Sequence, residues 1–196
     1  MTKLLFEFDR FPAEREAIGK MLIAYGEIEF ALLTCMGAVL SDQTLDTCTR
    51  ILFRVHGEGA RIEVADAIIR PAFSKVGLSG KWSNAYGAAK KCKNIRNQYA
   101  HCHWLPLGSI MTFMDLDQDS RQPDGEIKLS LKTFNTVLIA AQQRYFEYCL
   151  DLLWFLEPEY RKQAGLPLGD DMHTVEPRPM DAPEQYISYS PSPATR

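Results

Sequence analysis

Apolar residues recur at helical spacing along most of this chain. The clearest stripe lies between residues 12 and 40 and consists of Ile18, Met21, Leu22, Tyr25, Ile28, Leu32, Met36 and Val39. Apolar positions three and four residues apart predict one long amphipathic helix, and Pro12 suits its first turn. Ser41 and Asp42 end this run and offer a cap for the next helix.

Four further helices follow from the same period. Pro71 is expected to kink or split the third helix of the chain, and Pro106 stops the fourth, because proline lacks the amide proton that a helix interior requires. The predicted elements are a helix over about 43–55, a helix bearing Ile62 to Phe73, a helix from Ser79 or Ser83 to about Trp104, and a last helix from an N-cap at Thr133 to Pro158.

Between the last two helices the period changes from 3.6 to 2. Residues 110–116 and 126–132 alternate apolar and polar side chains, which is typical of half-buried strands. Asp124-Gly125 between them is a favoured hairpin turn. The sequence therefore predicts an all-α fold, an up-down bundle of four to five helices with a small β-hairpin insertion after the fourth helix.

Composition changes near the C-terminus. Six of the eleven prolines fall in the final 32 residues, together with acidic residues and few aliphatic ones. Such a segment buries too little apolar surface to order itself. We expect a helical domain over 1–163 and a flexible, proline-rich tail over 164–196, in which Tyr186, Ile187 and Tyr189 are candidates to dock on the body or on a partner.

The net charge and the cysteines limit which partners, metal ions and cellular compartment are expected for this protein. The formal net charge is −3, so any attraction to nucleic acid must come from a local patch. The five cysteines are widely spaced and form no Cys-x-x-Cys pair, which is typical of reduced thiols in a cytoplasmic protein. Cys102 between two histidines would need two more ligands to hold zinc, so we expect no metal or cofactor. No run reaches the ~18 uninterrupted apolar residues of a membrane span, and no membrane association is expected.

A basic patch does occur over residues 81–104, which contain five Lys and Arg residues and no Asp or Glu. Lys90, Lys91 and Lys93 are the candidate RNA-binding residues, with His103 beside them. Asn97 and His101 are four residues apart, so the amide can hydrogen-bond the imidazole. Arg96 falls on a packed side and needs an acid; Glu29, on the stripe of the first helix, is the first choice and Glu27 the second.

An arginine stabilises the charge that develops on a phosphate, and an imidazole can accept or donate a proton near neutral pH. These two roles suffice for attack of an RNA 2′-hydroxyl on its own phosphodiester without a metal ion. The alternative is structural, with His101 capping the helix end or bonding to a backbone carbonyl.

The run Arg96-Asn97-Gln98-Tyr99-Ala100-His101, with Trp104 after it, resembles the signature of the HEPN superfamily (higher eukaryotes and prokaryotes nucleotide-binding) in its Arg-Asn-x-x-Ala-His-x-x-Trp form. The resemblance covers roughly residues 12–160. It implies an all-helical homodimer with metal-independent endoribonuclease activity, as in toxins, phage-defence proteins and RNA-processing factors. Arg96 and His101 would then be the catalytic pair, with Asn97 as the polar residue after the arginine. Glu29, chosen for its position on the stripe of the first helix, would support Arg96.

One departure from the pattern of the family argues against membership of one subfamily. Members modified by a partner nucleotidyltransferase carry a tyrosine two residues after the motif histidine, where this chain has His103. Two functions therefore stay open: a ribonuclease, with an antitoxin or regulatory protein as a candidate partner, and a non-catalytic helical dimer that binds a nucleotide, RNA or a protein.

Overall fold

The computed structural model describes residues 9–42, 44–107, 110–120, 130–168 and 175–189. Within these ranges the chain is mostly helical with a small antiparallel sheet, which confirms the predicted all-α class with a β insertion. The elements are α1 (Pro12–Leu40), α2 (Asp46–Arg54), α3 (Glu58–Lys75), α4 (Ser79–His101), β1 (His103–Leu107), β2 (Ile110–Met114), α5 (Leu116–Ser120), β3 (Lys132–Thr133), α6 (Thr136–Gln163) and β4 (Ile187–Ser188).

Helix α1 has the predicted bounds, but prolines interrupt the other helices less than predicted. Pro71 lies inside α3, which is one helix from Glu58 to Lys75, so the predicted split is absent. Pro158 likewise lies inside α6, which continues to Gln163. Helix α4 ends earlier than predicted, at His101, because His103 and Trp104 belong to β1.

The predicted antiparallel pairing of residues 110–116 with 126–132 is found at Phe113 opposite Lys132, and the sheet also contains a hairpin that the sequence analysis did not predict. The predicted turn at Asp124-Gly125 lies outside the described residues. The observed hairpin joins β1 and β2, with Trp104 opposite Phe113, and β2 then pairs with β3 through Thr112 opposite Thr133. All three pairings of the four-stranded sheet are antiparallel, in the order β1-β2-β3-β4.

Thr133 is not the N-cap of the last helix, because it is paired in β3 and its hydroxyl donates to the carbonyl of Met111 over 2.8 Å. Asn135 has that role instead, since its Oδ1 accepts the backbone N–H of Leu138 at 2.8 Å.

The chain divides into two compact units. Unit 1 comprises the described residues of 1–22, 94–143 and 183–196, and unit 2 those of 23–93 and 144–182. The predicted boundary at residue 163 does not coincide with this division. Residues 175–182 belong to unit 2 and residues 183–189 to unit 1, so the proline-rich segment contributes to both.

Unit 2 has a core of apolar side chains from α1, α2, α3, α4 and α6. Phe73 and Tyr160 stack with ring centroids 4.7 Å apart, and Trp82 is fully buried beside Phe73. The Trp82 indole donates to Asp66 at 2.7 Å, and Arg70 forms an ion pair with the same carboxylate at 2.8 Å. The buried donor is therefore satisfied.

Unit 1 has a core of aromatic side chains at the sheet, formed by Tyr99, Trp104, Phe113 and Phe134. The C-terminal segment adds β4 to this unit, with Ile187 opposite Thr133, and the Lys132 ammonium lies 4.6 Å from the ring centroid of Tyr186. Tyr186 and Ile187, which the sequence offered as docking residues, therefore contact the body of the protein.

Helix α1 is also apolar along its length. Among the described helices it alone is long and apolar enough to cross a membrane, and half of its most apolar 18-residue window is buried within the protein. Core helices of globular domains have the same composition, and the side chains of Met21, Ile28 and Met36 are fully buried here.

Candidate functional site

The signature residues lie in the last turns of α4, within unit 1. Arg96 and Asn97 are half-buried, whereas His101 is the exposed last residue of the helix. The chain leaves the helix there because the amide of Cys102 bonds to the carbonyl of Gln98 and the next residue starts β1. The motif therefore combines a partly buried guanidinium with a solvent-accessible imidazole.

The Asn97 side chain positions the arginine rather than the histidine. The Arg96 guanidinium donates to Asn97 Oδ1 at 3.0 Å. The predicted hydrogen bond between Asn97 and His101 is not formed, and among the described residues no side chain bonds to the His101 imidazole. The amide thus holds the guanidinium in place and leaves the ring free to turn.

His103 does not share the helical face of Arg96. The prediction assumed that α4 continues to about Trp104, but His103 is the first residue of β1 and lies opposite Met114. Its side chain is exposed. It remains a candidate for contact with RNA through its exposure, not through its position on a helix.

Three candidate RNA-binding lysines belong to unit 2, on the part of α4 before residue 94. Lys90 is engaged by Glu63 at 3.1 Å and by the hydroxyl of Tyr86 at 3.3 Å. These two hydrogen bonds raise the pKa of Lys90. Hydrogen bonds from the Tyr86 hydroxyl, at 2.7 Å, and from Lys90 hold the pKa of Glu63 below its usual range. Lys91 and Lys93 are half-buried, and neither has a carboxylate within 4.0 Å among the described residues.

Glu29 has a partner that sequence reasoning missed. Its carboxylate accepts from Arg61 of α3 at 2.9 Å, and both residues belong to unit 2. Arg61 also donates to the carbonyl of Val55 at 3.2 Å. Glu27, the second choice as an acid for Arg96, is exposed. A supporting role of Glu29 toward Arg96 stays a prediction, and the contact that the structure gives to Glu29 is Arg61.

The middle of the motif anchors the C-terminal segment. The Tyr99 hydroxyl donates to the Oε1 of Gln142, which is fully buried, and Gln142 Nε2 donates to the carbonyls of Glu184 and Gln185 at 2.9 Å each. Gln98 Nε2 donates to Gln185 as well, at 3.0 Å. The sequence analysis did not predict this network, because the composition of a proline-rich segment does not indicate which side-chain amides will hydrogen-bond to its backbone.

The described residues hold no group of three His, Cys, Asp or Glu side chains that could bind a metal ion. The Cys102 thiol lies 4.0 Å from the carbonyl of Tyr99, and burial raises its pKa to about 12. A thiol with a raised pKa is a poor metal ligand, since metals bind the thiolate. The neighbouring histidines are exposed and belong to different elements.

Comparisons with models of protein families, with curated proteins and with solved structures find no match to this chain. The possible chemistry of the site is therefore inferred from the properties of its own residues. A fixed guanidinium can bind a phosphate through several N–H donors, and a mobile, exposed imidazole can transfer a proton to or from a bound polyanion.

Proposed function

We propose that this protein is a metal-independent endoribonuclease of the HEPN type that acts in the cytoplasm. Arg96 binds the scissile phosphate and stabilises the charge that develops on it. His101 takes the proton of the attacking 2′-hydroxyl or gives one to the departing 5′-oxygen. The products are a cyclic phosphate and a 5′-hydroxyl end.

The observation that carries this proposal is the Arg96–Asn97 hydrogen bond next to an exposed His101. A half-buried guanidinium loses entropy when it is ordered, and an adjacent amide acceptor supplies that order before RNA arrives. An exposed imidazole at a helix end is accessible to a polymer substrate. Both features suit a reaction on the RNA backbone, where positioning and charge stabilisation are the main requirements.

A homodimer that brings two such motifs into one cleft is part of the proposal and follows from the resemblance. An antitoxin or regulatory protein would be the natural partner of a toxin or phage-defence nuclease. Light scattering of the purified protein tests the dimer directly.

The second function is a non-catalytic dimer that binds RNA, a nucleotide or a protein. One observation favours it: the Asn97 amide is engaged by Arg96, so among the described residues nothing fixes the rotamer of His101. A general base that is not oriented by a neighbour is less effective.

Cleavage of total RNA in EDTA separates the two functions. Wild-type protein, Arg96→Ala and His101→Ala are compared, with Arg50→Ala and His56→Ala as matched controls at exposed residues outside the motif. Cleavage with cyclic-phosphate ends in the wild type and both controls, but not in the motif variants, supports the nuclease. Folded, dimeric wild-type protein that binds RNA without cutting it supports the non-catalytic function instead.

A further inference from the structure

Unit 2 contains a cavity of about 430 Å³ that the signature motif does not use. Helix α4 forms one wall with Asn84, Gly87 and Lys91, and helix α6 forms another with Tyr145 and Tyr148. Residues 179–182 of the C-terminal segment, including Met180, close the third side. The volume is within the range of cavities that bind small organic ligands.

Helical spacing explains why these side chains converge. Residues 84, 87 and 91 are three and four positions apart and share one face of α4, as residues 145 and 148 do on α6. Gly87 leaves the α4 wall open, since a Cβ at this position would meet no atom within 4 Å. The cavity is therefore lined by polar side chains and open space on α4 and by aromatic rings on α6.

Tyr145 offers an unused donor to this cavity. The residue is 6% exposed, yet among the described residues its hydroxyl has no hydrogen-bond partner. Burial, aided by the nearby thiols of Cys92 and Cys149, raises the pKa of Tyr145 to about 12, so the hydroxyl keeps its proton at neutral pH. The hydroxyl is not one of the buried polar atoms that lack a partner, so it is accessible and can donate to a molecule in the cavity.

Lys91 offers an unpaired positive charge at the same place. Two other lysines of this helix are paired, Lys81 with Glu176 at 2.6 Å and Lys90 with Glu63 at 3.1 Å. Lys93 does not line the cavity. Lys91 has no carboxylate within 4.0 Å among the described residues. The cavity thus combines one uncompensated cation with phenol rings and a free hydroxyl donor.

We propose that this cavity binds one nucleotide, with the phosphate on Lys91, the base against the ring of Tyr148, and the Tyr145 hydroxyl donating to the base or ribose. A lysine suits the phosphate because it is a compact cation, and aromatic side chains stack with any base. The nucleotide is either free or one unit of a single-stranded RNA. In the second case the proposal rests on the proposed function and gives the ribonuclease a substrate-holding site apart from its motif.

Binding is measured by calorimetry with the four nucleoside 5′-monophosphates and with four 2′-O-methyl tetranucleotides, one for each base. The methyl group removes the attacking hydroxyl, so the oligonucleotides bind without being cut. Lys91→Ala removes the cation and Tyr145→Phe removes only the hydroxyl. Lys75→Ala and Tyr160→Phe are matched controls at positions outside the cavity, since Tyr160 is 8% exposed and thus nearly as buried as Tyr145. Thermal melting shows that each variant is folded.

We expect at least one probe to bind saturably, about tenfold more weakly to Lys91→Ala, severalfold more weakly to Tyr145→Phe, and equally well to both controls. If the monophosphates bind, a free nucleotide is a sufficient ligand for the cavity. If the oligonucleotides bind and the monophosphates do not, the ligand is an RNA chain. Failure of every probe to bind, or equal affinity in all variants, overturns the proposal.

The same variants separate this site from the proposed nuclease. If probe binding depends on Lys91 and Tyr145 but the protein does not cut RNA, the cavity is supported as a nucleotide site and the nuclease is rejected. Alternatively, the protein cuts RNA only when Arg96 and His101 are present, and wild type, Lys91→Ala and Tyr145→Phe have the same affinity for every probe. That result supports the nuclease and rejects the cavity as a nucleotide site.

Discussion

The carboxylate of Glu29 on α1 lies 2.9 Å from the guanidinium of Arg61 on α3. The side chains are 13% and 25% exposed, so the pair is partly shielded from water. Arg61 also covers the ring of Phe53 at 5.2 Å from its centroid. The acidic residue that interrupts the apolar stripe of α1 thus joins α1 to α3 and to the end of α2.

We expect the Glu29–Arg61 pair to stabilise unit 2. Glu29→Gln and Arg61→Gln should each lower the free energy of unfolding, with a coupling of about 1 kcal/mol in a double-mutant cycle measured by urea denaturation. Strictly additive effects would show that the pair contributes nothing. A loss of RNA cleavage by Glu29→Gln, in protein that is still folded at the assay temperature, would support the predicted role of Glu29 in the catalytic group.

Asn97 should act as a positioning residue for Arg96. Asn97→Ala removes the acceptor at 3.0 Å, so the guanidinium must be ordered when RNA binds, and cleavage should fall about tenfold with little change in stability. Single-turnover cleavage of one RNA checks this. Asn94→Ala is the matched control, because Asn94 is exposed and uses only its backbone carbonyl, which accepts from Gln185. Wild-type cleavage by Asn97→Ala would contradict the positioning role.

The parts of the fold that the sequence predicts are those set by local pattern. The stripe of α1 is continuous over 29 residues, and its bounds match the structure. The end of α4 was misplaced because His103 and Trp104 fit helical spacing, while strand pairing with Met114 and Phe113 decides their conformation. Pairing between strands is not local, and a helical period gives no information about it.

The same reasoning explains the errors at the candidate site. The partner of Glu29 is 32 residues away in the sequence, and no pattern selects Arg61 among the basic residues. Thr133 and Asn135 are both good N-cap residues, and the choice between them depends on β3 pairing with both β2 and β4. Arg96 and His101 could be proposed as site residues from the sequence because the motif is a short, local run.

Asn135 should be the N-cap that α6 requires. Asn135→Ala leaves the amide of Leu138 without its side-chain acceptor and should lower the free energy of unfolding by about 1 kcal/mol. Asn135→Asp keeps an acceptor at the same place and should retain the stability. Urea denaturation of the three proteins checks this, and equal stability of Asn135→Ala and wild type would show that the cap is dispensable.

Gln142 should hold the C-terminal segment on unit 1. Gln142→Leu removes the side-chain partner of the Tyr99 hydroxyl and of the Glu184 carbonyl, and leaves the Gln185 carbonyl with Gln98 as its side-chain donor, which should lower the free energy of unfolding by about 2 kcal/mol. Amide hydrogen exchange over residues 184–189 should also become faster. Gln143→Leu is the control, because Gln143 is half-buried and makes none of these bonds. Unchanged exchange in Gln142→Leu would show that β4 pairing alone holds the segment.

Alkaline pH should weaken the folded state through Cys48. Burial, with a hydrogen bond to Asp42, raises the pKa of the Cys48 thiol from 9.0 to about 11. Between these values the unfolded chain releases a proton that the folded chain retains, so stability falls as the pH rises from about 9 to 11. Urea denaturation of wild type and Cys48→Ala at pH 8, 9, 10 and 11 isolates this contribution, since the variant lacks the thiol and should lose less stability over this range. A difference between the two proteins that stays constant with pH would show that Cys48 has its ordinary pKa in the folded protein.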